Sequence, residues 1–199
     1  MPTPVTHAFM AAAIGAAFMP KCRAGRFVAL ATVLSTLPDV DVVGLYLGIA
    51  YESFWGHRGI LHSLTFALAA SLLVAWVAFR DVRPFSKGWW DPGLFFFSVM
   101  AMHDLLDAMT RGGLGVALFS PFDPARHFLP WRLIPVAPIG LFSFFRGGGL
   151  DVLATEVLGL WMPAALICSA VWIIRRRTRN RRAAKAQALS PCGTASDTL

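Results

Sequence analysis

Charge is what this sequence has least of. Asp, Glu, Lys and Arg make up 15% of its 199 residues and hydrophobic residues 56%, against roughly 25% and 45–50% in a soluble domain. That balance excludes an ordinary water-soluble globule, and a disordered, collagen-like or disulfide-stapled chain with it. Cysteine is sparse too: Cys22, Cys168 and Cys192 are odd in number, far apart and form no C-x-x-C pair, so they define no disulfide or metal framework. Residues 1–7 hold no Lys or Arg, so the charged leader of a cleaved signal peptide is missing and this segment is expected to stay on the mature protein. No internal repeat is present.

What the chain does have is apolar runs, at residues 5–19, 27–50, 60–79, 92–109 and 153–174. A crossing takes about 20 residues, so the pattern predicts an all-α fold, a polytopic membrane bundle of about five helices. The first run is short and the second contains Pro38, which removes a backbone donor and disfavours helix just before it, so these two are expected to be broken or partly inserted. Between the fourth and fifth runs, residues 110–150 hold too much Gly and Pro for a long helix yet stay rich in Leu, Phe and Trp. A loop of this length and composition reads as a packed, functional cap. Residues 1–175 thus form one membrane-embedded domain, and 176–199 a basic tail expected to be disordered.

The net charge of +7 is concentrated in that tail, where Arg175, Arg176, Arg177, Arg179, Arg181, Arg182 and Lys185 follow an apolar run. In that position they read as a cytoplasmic membrane flank rather than a nucleic-acid arm, and no nucleic-acid partner is expected. If all five runs cross, thirteen Lys and Arg fall on one side and five on the other, which puts the C-terminus in the cytoplasm.

Ionisable groups in apolar runs are costly and mark function. His7 opens the first run, Asp39 and Asp41 interrupt the second, His57 and His62 flank the start of the third, and His103, Asp104 and Asp107 close the fourth. Under the charge-derived topology the histidines and Asp107 fall toward the outer ends of their helices, and Asp39 and Asp41 lie midway or nearer that end. His103 and Asp107, at i and i+4, share one helical face and suit a metal chelate. Asp104 points about 100° away from His103. In Leu37-Pro38-Asp39-Val40-Asp41 a tight turn aims one carboxylate to ligate and the other to support. Gly56-His57-Arg58-Gly59-Ile60-Leu61-His62-Ser63 sets two imidazoles and an arginine across a loop-to-helix junction, with glycines permitting close backbone approach.

These motifs together resemble the membrane-bound metal-dependent hydrolase family of YdjM-like and YbcI-like inner-membrane proteins. The resemblance runs from residue 1 to about 175 and rests on Thr6-His7, the two-aspartate motif, His57-Arg58-Gly59 with His62-Ser63, and His103 with Asp107 and Thr110. It also takes in Pro121, Arg126, Pro130-Trp131, Val136-Ala137-Pro138 and Glu156. It implies a bacterial inner-membrane protein with a divalent metal site and hydrolase activity. The order of His and Asp is distantly similar to the all-α zinc-dependent phospholipase C and nuclease fold. That similarity gives His7, Asp39, His62, His103 and Asp107 the places of ligands to one or two ions, Zn²⁺ or else Mn²⁺. His127 and Glu156 are the remaining candidates for a further ion.

The expected chemistry is metal-assisted hydrolysis of a phosphoester or ester bond in a lipid-like substrate near the outer interface. Asp41 or His57 takes the proton of water, and Arg58 and Arg126 offer guanidinium forks to a phosphate. Thr110 and Glu156 support the site, Glu156 near enough to the start of the fifth helix for its dipole to favour the charge. Membrane lipids are the expected partners. A transporter or metal-handling protein using the same residues as an ion site is the competing class.

Overall fold

A computed structural model describes residues 1–18 and 24–189. Among these residues the structure is helical, with no strand beyond isolated bridges of Thr110 to Ile134 and Val116 to His127. The α-helices are α1 Pro4–Phe18, α2 Ala24–Thr36, α3 Val42–Tyr46, α4 Leu64–Ala78, α5 Lys87–Ala108, α6 Leu141–Arg146, α7 Gly149–Glu156 and α8 Met162–Leu189.

Local chemistry sets the boundaries. Thr3 caps α1, its Oγ1 accepting from the Thr6 N–H at 3.3 Å, and Pro4 takes the first position, where a missing N–H costs nothing. Pro38 ends α2 at Thr36, and the chain continues as a 3-10 turn, Pro38–Asp41, into α3. The second apolar run is thus broken where its proline predicts. Ser63 caps α4 by accepting from the Phe66 N–H at 3.1 Å. The fourth helix starts at Lys87, ahead of its apolar run, and passes through Pro92.

Helix α1 packs on α2, α4 on α5, α2 on α5 and α1 on α8. Phe27, Phe79 and Phe96 anchor the core, with the Phe79 and Phe96 rings 4.8 and 5.6 Å from that of Phe27. Two helical stretches are long and apolar enough to cross a membrane, Gly25–Tyr46 and Gly149–Arg182. None of the apolar window of the second is buried, and Leu158, Leu166, Ile167 and Ile174 are each more than 60% exposed. A continuous apolar surface of that size calls for lipid, not water, around it. Helix α1, at 15 residues, is about 22 Å long, short of the roughly 30 Å hydrocarbon core.

Beyond the fifth apolar run the chain differs from expectation. The tail expected to be disordered from residue 176 continues α8 as far as Leu189, because Arg, Ala, Lys and Gln are strong helix formers. Residues 190–199 of that tail, with Cys192, lie outside the described residues, as do Lys21 and Arg23 of the charge count and Cys22 between them. The 110–150 segment is a packed cap, pinned by Arg111 N–H to Ile134 O at 3.0 Å and by Val116 and His127 exchanging backbone bonds of 2.9 and 2.8 Å.

One clamp joins the two ends of the bundle's chain. The Glu156 carboxylate accepts from the Thr3 N–H at 2.8 Å and from the Thr3 and Thr6 hydroxyls at 2.6 Å each. A π-helical turn, Val157–Trp161, then aims the Trp161 indole N–H at Thr6 Oγ1, 2.7 Å away. Replacing Glu156 with Ala strands buried donors in α1. Glu156→Ala should therefore lower stability by about 1–3 kcal/mol, read as a drop in the midpoint of thermal unfolding in detergent.

Candidate metal centre

The first turns of α1 and α4 and the last turns of α2 and α5 meet at one end of the bundle, and the polar residues meet with them. Because α2 stops at Thr36, the Ser35 carbonyl lies in its last turn without an intrahelical donor. His103 Nδ1 donates to it at 2.7 Å. A carbonyl can only accept, so the proton sits on Nδ1 and Nε2 is left with a lone pair, 3.7 Å from Asp39 Oδ1.

The 3-10 turn decides between the two aspartates. At three residues per turn, positions two apart point in different directions, so Asp39 and Asp41 part company. Asp39 Oδ1 faces His62 Nε2 and His103 Nε2, each at 3.7 Å. Asp41 faces away, toward the loop. Its Oδ1 accepts from His57 Nδ1 at 2.6 Å, its Oδ2 accepts from the Arg58 N–H at 2.9 Å, and His62 Nδ1 lies 2.9 Å from Oδ2. A carboxylate on one ring nitrogen orients the other nitrogen and makes it a better ligand.

The loop that carries His57 and His62 is held by close backbone approach. A Cβ on Gly56 would collide with the carbonyls of Ala50 and Tyr51, and one on Gly59 with that of Phe54. Between them Arg58 sits at φ 62° and is buried. Its Nε donates to Asp107 Oδ2 at 3.1 Å, Nη1 to Gly112 O at 3.1 Å and Nη2 to Thr110 Oγ1 at 3.0 Å.

The outcome is a four-residue donor group. Asp39, His62, His103 and Asp107 each offer one atom, and these atoms lie within 4.8 Å of one another. Both Asp39 oxygens, His62 Nε2, His103 Nε2 and Asp107 Oδ1 are buried without a hydrogen-bond partner. Buried polar atoms are rarely left so, and five lone-pair sites converging on one space fit a cation that accepts from all of them. Buried carboxylates also outnumber buried guanidinium groups at this end of the bundle, with Asp41, Asp104 and Asp107 against Arg58, which suits a cation. Asp41, His57 and His62 also lie within ligating reach of one another, but there the nitrogens already face the Asp41 oxygens.

Other expected roles change. His7 falls outside the four converging donors but sits against them, buried with neither ring nitrogen hydrogen-bonded, Nε2 3.4 Å from Asp107 Oδ1 and its ring 3.8 Å from that of His103. Asp41 accepts from His57 Nδ1 and the Arg58 N–H and faces His62 Nδ1 at 2.9 Å, which suits it to orienting the imidazoles. The three guanidinium nitrogens of Arg58 are committed to protein acceptors, so it positions Asp107 instead of gripping a phosphate. Arg126 is likewise committed: Nη1 donates to His57 O and Nη2 to Tyr51 O, both at 2.8 Å, clamping the histidine loop to the cap. Burial lowers the Arg126 guanidinium below its ordinary pKa and raises the Tyr51 phenol above its own.

Thr110 donates to the Asp107 carbonyl at 2.7 Å, not to its carboxylate. Glu156 acts further out, through the first turn of α1 that carries His7. His127 lies 3.7 Å from Asp123 and meets the Phe119 ring edge to face, and neither it nor Glu156 joins a donor group. Sequence reading misses the Ser35 carbonyl, Thr3 and Trp161. Pro38 signals the first; nothing local signals the others. Asp104 is buried with neither oxygen hydrogen-bonded.

A fold of exposed apolar helices around such a cluster defines a membrane protein with a potential metal site. The chain belongs to the YdjM inner membrane protein family, whose model matches residues 1–180. It is 36% identical over 176 residues to inner membrane protein YbcI of Escherichia coli (strain K12), an alignment covering 88% of this chain and 100% of that relative. No solved structure matches the chain.

Asp41→Asn keeps the shape but loses the charge that orients two imidazoles. It should weaken divalent-metal affinity about 10–100-fold, measured by competition with a chromogenic chelator.

Proposed function

We propose that this chain is a multi-pass inner-membrane hydrolase that depends on a divalent metal and cleaves a phosphoester or ester bond of a lipid-like substrate near the outer face. The observation that carries this reading is the convergence of unpartnered donor atoms from Asp39, His62, His103 and Asp107. Those four residues would hold one ion, Zn²⁺ or Mn²⁺, with His7 against its Asp107 ligand. A bound divalent ion supplies Lewis acidity to a scissile phosphoryl or carbonyl group and eases ionisation of water.

The chain's own residues supply the rest. Arg58 and Thr110 fix Asp107, the Ser35 carbonyl fixes His103, and Asp41 fixes His62. His57, held through Nδ1 by Asp41, keeps Nε2 as a proton acceptor and donor. Exposed Phe122 and Trp131, at 86% and 68%, are placed in the cap as interfacial anchors for an outer-face site. The charge asymmetry supports five crossings with the C-terminus in the cytoplasm.

The test is elemental analysis of protein purified without chelator, alongside turnover of phospholipid and phosphodiester substrates. Wild type is expected to carry stoichiometric Zn²⁺ or Mn²⁺ and to turn over one of them, while His103→Ala and Asp107→Ala lose both metal and activity yet stay folded in the membrane. Full activity in either variant sinks the hydrolase. Metal retained without hydrolysis, together with metal flux in proteoliposomes, would favour a transporter.

Orientation is checked separately with reporter fusions. A reporter after Ile174 should read as cytoplasmic, and one near Arg126 as external.

A further inference from the structure

Next to the donor group lies a cavity of about 470 Å³, within the roughly 300–1,000 Å³ usual for small-molecule sites. Its wall is carbon nearly throughout, with Val5 from α1, Val42 from α3, Ile139 from the cap, Phe144 from α6 and Leu153 from α7. Two polar side chains reach it, Thr3 and Asp39. The Thr3 hydroxyl is already taken by Glu156 and Thr6. Asp39, one of the four metal-ligand candidates, and Met1, whose α-amino group interacts with Asp107 and Asp39, mark the polar end of the cavity.

Exposure shows how cavity and centre connect. The side chains of His62, His103 and Asp107 have 0% exposure, whereas that of Asp39 has 8%. Asp39 is thus the one residue of the four with any side-chain exposure, and it borders the apolar cavity, although both its oxygens are themselves buried. The outer rim is apolar as well: Phe142, Phe145 and Leu150 are 69%, 63% and 55% exposed. Of these Phe145 lines the cavity itself, and Phe142 and Leu150 extend the exposed apolar surface along α6 and α7.

We infer that this cavity binds a single hydrocarbon chain of a membrane amphiphile, laid so that the amphiphile's polar end reaches Asp39. An apolar chain passes from lipid to a carbon-lined wall at little cost, while a polar guest would strand its hydrogen-bonding groups there. This rests on the hydrolase reading for the purpose of the site and gives that reading its substrate class: a molecule with one long apolar chain and a polar, hydrolysable head. The chain is anchored by Val5, Val42, Phe144 and Leu153, and they select for it.

The test does not depend on turnover. The full-length protein is placed in nanodiscs containing phosphatidylglycerol with a diazirine at the end of one acyl chain, irradiated, and the cross-linked residues are mapped by mass spectrometry. Labelling is expected to concentrate on Val5, Val42, Phe144 and Leu153, above that of Leu166 and Ile167 on the open face of α8. Leu153→Trp, which fills the cavity, should cut cavity labelling about tenfold, equivalent to about 1.4 kcal/mol of binding, with α8 labelling and metal content unchanged.

Val42→Trp, filling the cavity from the opposite wall, serves if Leu153→Trp fails to fold. Competition by lysophosphatidylglycerol or by farnesyl phosphate identifies the guest as acyl or prenyl. Cavity labelling no greater than that of α8, or undiminished by both tryptophans, overturns the inference. Cavity labelling in a protein that binds no metal sustains the inference and sinks the hydrolase; metal and turnover without cavity labelling do the reverse.

Discussion

Asp107 is the carboxylate on which this end of the molecule depends. It has no exposure, and a buried charge without partners is among the most expensive features a fold can carry. Arg58 answers from the histidine loop at 3.1 Å, His62 Nε2 stands 3.6 Å from the same oxygen, and His7 Nε2 stands 3.4 Å from the other. Two separate segments, the histidine loop and the first turn of α1, are thus drawn to the last turn of α5. Arg58 accepts a left-handed backbone to get there, a conformation that costs of order 1 kcal/mol or more outside glycine. Such strain persists only where surrounding contacts over-determine it. Here the Arg58 amide on Asp41 and its guanidinium on Asp107, Thr110 and Gly112 do so.

Pro38 is the second point of leverage, because one residue produces two consequences at a distance. By stopping α2 it frees the Ser35 carbonyl that sets the His103 tautomer. By opening a 3-10 turn it separates Asp39 from Asp41, giving one to the donor group and the other to the imidazoles behind it. An unbroken α-helix would keep the Ser35 carbonyl in its own hydrogen-bond ladder. The usual cost of proline in an apolar helix is in this way turned into placement of two carboxylates and one histidine.

How much of this was legible in the sequence depends on the range of the interaction. The His103–Asp107 face, the break at Pro38 and the glycines around His57 are local rules, and the structure follows each. The choice between Asp39 and Asp41 was not legible, since it turns on the pitch of a four-residue turn. Arg58 and Arg126 look like free phosphate forks in sequence because sequence shows a cation and not its acceptors. Their acceptors are backbone carbonyls and Thr110 contributed by the cap or the loop, and backbone groups have no signature of their own. Glu156 and Thr3, 153 residues apart, illustrate the same limit. The helical continuation to Leu189 was missed for a different reason: basic, alanine-rich composition fits both a solvated tail and a good helix.

The cavity also weighs on the choice between an enzyme and an ion pathway. A conducted ion must arrive hydrated and leave hydrated, so its site needs water or polar groups on two sides. The donor atoms of all four residues are buried, and the cavity that opens beside Asp39 is lined chiefly by carbon. An ion held there is held by four protein atoms against an apolar neighbour, an arrangement suited to a resident ion. The same opening suits an amphiphile, whose apolar chain fills the cavity while its head meets the ion's ligand. A single geometric feature therefore argues in both directions at once, against passage of the ion and for approach of a lipid.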